Sequence, residues 1–243
     1  VQPYKLAPEH PLDRLHLRFS IPSEIAVPSL HLALEDAAET QIVWNGQQVS
    51  PQTDGWYVDH AIETVPLPGL EKGMNILEVC VPIGLRTNLE CMYLLGDFGV
   101  RINGVEKTVI PPVRRLGFGS VVNQGLPFYT GNVNYHFEIS SDGPCKIRVP
   151  AWRGGLVKVF ADGQDIGNIA FSPYELTLKD LASGRHEIVL KLYGTRQNGF
   201  AQLHHIPGIY FYQSPDSWRS VGDRWTYEYQ FKPMGILKSP EIY

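Results

Sequence analysis

Along most of the chain apolar and polar residues alternate with a period of two, the spacing of a strand with one face in a core and the other in water. In "HEIVLKLY" (His186–Tyr193) Ile188, Leu190 and Leu192 share one face, and Glu187, Val189 and Lys191 share the other. "LHLRFSI" (Leu15–Ile21) and "VNYHFEI" (Val133–Ile139) alternate in the same way. No window of comparable length carries a 3.6-residue period with caps, so the pattern predicts strands throughout. Two stretches add a turn: "QIVWNGQQV" (Gln41–Val49) and "VKVFADGQDI" (Val157–Ile166) place Asn45-Gly46 and Asp162-Gly163 between short strand-like runs. Both dipeptides accept positive φ at little cost and so predict tight hairpins.

The recurrence extends beyond the hairpin. Phe19 answers Phe137 at an offset of 118 positions, and the two turns follow at 117. Within "LPGLEKGMNILEV" and "LKDLASGRHEIVL", Gly73 answers Gly184 and Leu77 answers Ile188, both at 111; Arg86 of "RTNLE" answers Arg196 of "RQNGF" at 110. Surface loops absorb a drift of this size. The expected fold class is therefore all-β, with two tandem antiparallel β-sandwich domains over residues 1–110 and 111–243. Across that boundary, 101–125 carries a hairpin signal at Asn103-Gly104 and a break at Pro111-Pro112, and it is expected to be packed strand rather than free linker.

Composition agrees with this reading. A chain of 243 residues can bury two cores, and 11% aromatic residues with 23 Gly and 19 Pro suit short strands joined by turns. A formal net charge of −4 without runs of like charge gives no footprint for nucleic acid. No apolar span is long enough for a membrane helix. The start, "VQPYKLAPEH", has neither an initiator Met nor a signal-peptide core, so the chain is expected to be an excised piece of a longer protein. Cys80, Cys91 and Cys145 match no zinc or CxxC spacing, and buried reduced thiols are expected at Cys80 and Cys145. Both a cytoplasmic and a secreted location fit that usage.

Several segments in this order carry a resemblance: "WNG", "GWYVD", "LxxGxNxL", "NLExMYLLGDFGV", "GLPFYTGNVNY" and "YQFKPMGI". Over roughly residues 13 to 240 the chain resembles the jelly-roll, galactose-binding-like domains appended to large bacterial glycoside hydrolases, of the family 2 sugar-binding type or the alpha-L-rhamnosidase-like type. The resemblance implies an accessory role, with carbohydrate and the catalytic domain of a parent chain as partners. It implies no cofactor, although modules of this kind often hold a structural calcium ion. The alternatives are a structural docking or oligomerisation module and a small glycosidase in its own right.

Glycoside hydrolysis needs two carboxyl groups across the scissile bond. Glu90 and Asp97 in "LECMYLLGD" stand seven apart around a strand, which argues against a convergent pair, and the adjacent Glu35 and Asp36 diverge. His204 and His205 point to opposite strand faces and have no ligand partner at metal spacing. No GxSxG elbow or phosphate loop is present, and "GFGSVV" (Gly117–Val122) lacks the last glycine of a dinucleotide fingerprint. No catalytic or metal residue is assigned.

A sugar presents an apolar C–H face ringed by hydroxyls, so its site needs an aromatic plate with planar polar groups at the rim. "TDGWYVD" offers Asp54, Trp56, Tyr57 and Asp59; "PAWRGG" offers Trp152 and Arg153; "SPDSWRSVGDRW" offers Trp218, with Arg219 and Trp225 nearby. Trp44, inside a strand, reads as core, and of Trp56 and Tyr57 one is expected to face out. The same aromatics suit a docking interface equally well.

Overall fold

The computed structural model describes residues 11–84, 87, 89–206, 222 and 225–243. It is all-β: among the described residues the only helices are one four-residue turn, α1 (Gln197–Phe200), and two 3-10 turns. No described helix is long and apolar enough to cross a membrane. The backbone divides into two compact units, Val1–Arg101 with Glu106–Pro112, and Ile102–Val105 with Val113–Tyr243.

The strands of the first part of the chain are β1 (Asp13–Ser23), β2 (Leu30–Leu34), β3 (Gln41–Trp44), β4 (Gln47–Val49), β5 (Gly55–Tyr57), β6 (Asp59–Leu67), β7 (Gly73–Ile83), β8 (Tyr93–Gly96), β9 (Gly99–Asn103) and β10 (Glu106–Ile110). They form a six-stranded sheet, β4-β3-β7-β1-β10-β9, and a four-stranded sheet, β5-β6-β2-β8. Leu30, Leu32, Leu34 and Val65 from the smaller sheet close a core with Ile42, Trp44, Leu77 and Val79 from the larger. Trp44 is core as expected, 2% exposed, with its indole N–H donating to the Gly69 carbonyl at 3.2 Å. One pairing departs from the antiparallel expectation: β10 runs parallel to β1, with Ser23 opposite Val109.

The second part contains β11 (Val133–Asp142), β12 (Cys145–Arg148), β13 (Trp152–Arg153), β14 (Leu156–Ala161), β15 (Gln164–Ile169), β16 (Glu175–Leu178), β17 (Ser183–Tyr193), β18 (Gly235–Ile236) and β19 (Glu241–Ile242). Its sheets are β15-β14-β17-β11, β16-β12-β19 and the pair β13-β18. Ile188, Leu190 and Leu192 are fully buried, as their alternation predicts. At the outer strand, pairing shifts between Val159 and Phe160, so β15 carries Ile166 as an extra residue, followed by Gly167 at φ +144°. Lys158 Nζ meets Asp165 Oδ2 there at 2.6 Å.

The two units repeat one plan down to register. The order β4-β3-β7-β1 has its counterpart in β15-β14-β17-β11. In the first, Leu77 pairs with both Phe19 and Trp44; in the second, Ile188 pairs with both Phe137 and Ala161. The hairpins turn through Asn45 (φ 49°) and Gly46 (φ 80°) in one and Asp162 (φ 50°) and Gly163 (φ 78°) in the other. The side chain of the first turn residue then ties the hairpin to the central strand. Asn45 accepts from the Ile76 N–H at 2.8 Å, and Asp162 accepts from the Glu187 N–H at 2.9 Å. Its other side-chain atom meets the residue before that N–H, Asn75 in one unit and His186 in the other. Asn75 and His186 in turn donate to the carbonyls of Glu71 and Ala182, at 2.8 and 2.9 Å. A turn, a strand and the preceding glycine corner are thus fastened by one small polar group, neutral in the first unit and titratable in the second.

The Arg-x-Asn segment of the second half forms α1, and its Asn198 is buried because both ends of its amide bond the Lys232 backbone, at 2.8 and 2.9 Å. Arg86 and Asn88 of the first half lie outside the described residues. Cys80 is buried, Cys145 half-buried and Cys91 exposed.

Candidate functional site

The outward face of the four-stranded sheet in the first unit gathers Asp54 and Tyr57 of "TDGWYVD" with partners distant in sequence. Strand β2 sends Leu30, Leu32 and Leu34 into the core, so His31 and Ala33 point the other way. Ala33 stands opposite Thr64 of β6 and Tyr93 of β8, which places those side chains on the same outward face. Asp54, just before β5, accepts from the Thr64 hydroxyl at 2.8 Å through Oδ1 and meets His31 Nε2 at 2.9 Å through Oδ2. The Thr64 hydroxyl first, and His31 second, hold the Asp54 carboxyl below its usual range. The result is a carboxylate fixed in orientation by two strands.

Pairing of β5 with β6 slips between Trp56 and Tyr57, so the two rings do not simply alternate. Tyr57 is half-buried against Tyr93, with ring centroids 5.4 Å apart. Trp56, opposite Glu63 in the row of Leu34, lies on the other face at the sheet edge and is 53% exposed, its ring 4.3 Å from His60. Asp59 accepts from the Ala61 N–H at 2.9 Å, shaping the tight corner after Val58 (φ 67°). Burial, reinforced by Cys91 and Tyr57, pushes the Tyr93 hydroxyl up to about 12, so it remains a neutral donor. Burial and then Glu90 raise the Glu35 carboxyl in the same neighbourhood. Of the residues proposed from sequence, the hairpin thus unites Asp54, Trp56, Tyr57 and Asp59. His31, His60, Thr64 and Tyr93 join them and escaped notice; the outward position of His31 in the alternating "LHLAL" was the one available signal.

The second unit holds the other proposed residues. Trp152 is half-buried on the core, edge-on to Tyr174 with centroids 6.1 Å apart, and pairs with Ile236 across β13-β18. Arg153 is exposed and donates to the Trp152 carbonyl at 3.0 Å. Trp218 and Arg219 lie outside the described residues. Tyr227, Trp225, His204 and Tyr229 form a run of rings with successive centroids 4.4, 5.5 and 4.8 Å apart, and Tyr227 is 75% exposed.

Glu90 lies exposed ahead of β8 and Asp97 just beyond its end. His204 Nδ1 is bonded to the Thr226 carbonyl at 3.0 Å. His186, although paired with Asp162, has its second nitrogen bonded to the Ala182 carbonyl and so has no lone pair to offer a hydroxyl nucleophile. Among the described residues no three His, Cys, Asp or Glu side chains gather closely enough to hold a metal ion.

No protein-family model matches the chain, and no curated protein matches it. Among solved structures it is similar to a rhamnosidase from Novosphingobium sp. PP1Y, at 14% identity and a TM-score of 0.34 over 93% of this chain. The chain spans 22% of that protein's length. It is also similar to an anti-sigma factor domain-containing protein from Clostridium clariflavum, at 12% identity and a TM-score of 0.22 over 75% of each chain. A third is the Pleurotus ostreatus lectin in its apo form, at 10% identity and a TM-score of 0.24 over 74% of this chain and 67% of the lectin.

Proposed function

We propose that the chain is a non-catalytic carbohydrate-binding module, accessory to a glycoside hydrolase, and that sugar is taken at the β5 edge of the first unit. The observation that carries this is an exposed Trp56 plate and a preoriented Asp54 carboxylate two residues apart at one sheet edge. The indole face accepts the C–H side of a pyranose. Asp54 and His31 already bond to each other, and the remaining carboxylate lone pairs accept from ring hydroxyls. Holding these groups in place before the ligand arrives lowers the entropy lost on binding. The accessory role is supported by the ordered sequence resemblance to appended domains of such hydrolases.

Titration calorimetry of the 243-residue chain against neutral galactosides, glucosides and rhamnosides tests the reading. A Trp56→Ala variant with an unchanged melting transition weakens binding about tenfold or more, equivalent to roughly 1.4 kcal/mol. Equal affinity in wild type and variant refutes the site, and the absence of binding across the panel refutes the function.

A further inference from the structure

A second place in the molecule has the makings of a ligand site, and it lies wholly within the second unit. Residues 113–118, "VRRLGF", run beside Asn134–Phe137 of β11 and leave between them a cleft of about 340 Å³. That is at the lower end of small-ligand pockets, which span about 300–1,000 Å³. Among the described residues β11 pairs only with β17, so alternate backbone N–H and C=O groups along its outer edge face the cleft side.

The wall opposite is fixed. The Gln124 amide accepts from the Gly117 N–H at 2.8 Å and donates to the Gly117 carbonyl at 3.2 Å. The Gly119 N–H donates to the Ile236 carbonyl at 2.7 Å. Phe118 stacks on Tyr135, with centroids 5.6 Å apart and planes 16° apart, and the Tyr135 hydroxyl accepts from the Ile236 N–H at 3.1 Å. Phe118 remains 41% exposed, so its other face is open. Arg114 and Arg115 line the cleft, and among the described residues no carboxylate does. Arg115 is exposed and has no ion-pair partner among the described residues.

We propose that this cleft binds a carboxylate-bearing pyranose, with Arg115 taking the carboxylate, Phe118 the C–H face, and Asn134 with the β11 edge the hydroxyls. A planar guanidinium fork matches a carboxylate in two parallel hydrogen bonds, and Arg114 adds positive charge beside it. An aromatic plate next to that charge selects a ring rather than a bare anion. The inference rests on the carbohydrate-binding reading and names an acidic sugar for a site separate from the Trp56 site.

The test is titration of the 243-residue chain with oligogalacturonate, its methyl ester and an oligoglutamate peptide, at low and moderate salt. Oligogalacturonate binds, more weakly as salt rises. The ester, which has lost its charge, binds about tenfold more weakly, and Arg115→Gln reduces acid binding by a similar factor. Arg115→Lys, keeping charge without the fork, restores part of it, and Trp56→Ala leaves it unchanged. Equal binding of acid and ester, indifference to Arg115→Gln, or no acid binding overturns the proposal. Preference for oligoglutamate also overturns it, in favour of strand addition at β11. Neutral-sugar binding lost in Trp56→Ala but kept in Arg115→Gln would uphold the first site whatever happens at this one.

Discussion

Replacing Asn75 with alanine removes the neutral fastening of the first unit, and its cost can be worked from the contacts. The side chain is fully buried. It accepts from the Glu71 N–H at 3.0 Å, donates to the Glu71 carbonyl at 2.8 Å, and accepts from Asn45 Nδ2 at 3.0 Å. A hydrogen bond contributes about 0.5–1.5 kcal/mol net, so three together give about 3 kcal/mol. Alanine opens little apolar cavity, and the polar loss dominates. At about 4–8 °C per kcal/mol for a domain near this size, the first unit melts about 12–24 °C lower. Differential scanning calorimetry reads the total. Hydrogen exchange locates it, since the Glu71 and Ile76 amides should lose protection while those of β17 do not. A loss below about 1 kcal/mol, or one shared equally by both units, would refute the idea that this amide fastens turn to strand.

The corresponding group in the second unit titrates. Asp162 raises the His186 imidazole above its ordinary value near 6.5, and His186 in turn lowers Asp162. The histidine contribution is fully present below about pH 6.5 and is lost as pH rises through the raised value; that of Asp162 is lost as pH falls below the ordinary carboxylate range. His186→Asn is expected to flatten the alkaline side of the second unit's stability profile, and denaturant melts between pH 6 and 8.5 that keep the wild-type slope would contradict this. Gly235→Ala places a Cβ 2.4 Å from the Gly119 carbonyl at φ +138°, so it should cost about 2 kcal/mol or more and expose the β13-β18 amides to exchange. A variant within about 0.5 kcal/mol of wild type would mean that the backbone there yields freely.

The sandwich architecture was legible because alternation and turn chemistry are local. Ile188, Leu190 and Leu192 announce their burial through spacing alone, and Asn45-Gly46 and Asp162-Gly163 announce hairpins through the positive φ they tolerate. The repeat, once aligned, even carried the register, since Phe19 with Leu77 and Phe137 with Ile188 are true cross-strand pairs. The parallel contact of β10 with β1 was hidden, because nothing in "EKTVI" says which edge it will meet. The site was half legible. Asp54, Trp56 and Tyr57 stand together in the sequence, but His31 and Thr64 reach Asp54 only through the pairing of β2 with β6. The slip between Trp56 and Tyr57 is likewise a property of the paired strands, invisible in one strand alone.

The extra residue in β15 has a consequence for how the molecule behaves in company. An outermost strand offers a row of unsatisfied backbone groups to any neighbouring chain. By inserting Ile166, the strand turns that side chain to the core while Asp165 stays outward against Lys158, and the added twist carries the rim out of plane. A second molecule meeting this margin encounters a bent template guarded by charge, so growth of the sheet from molecule to molecule is blocked at the point where the repeat would otherwise invite it.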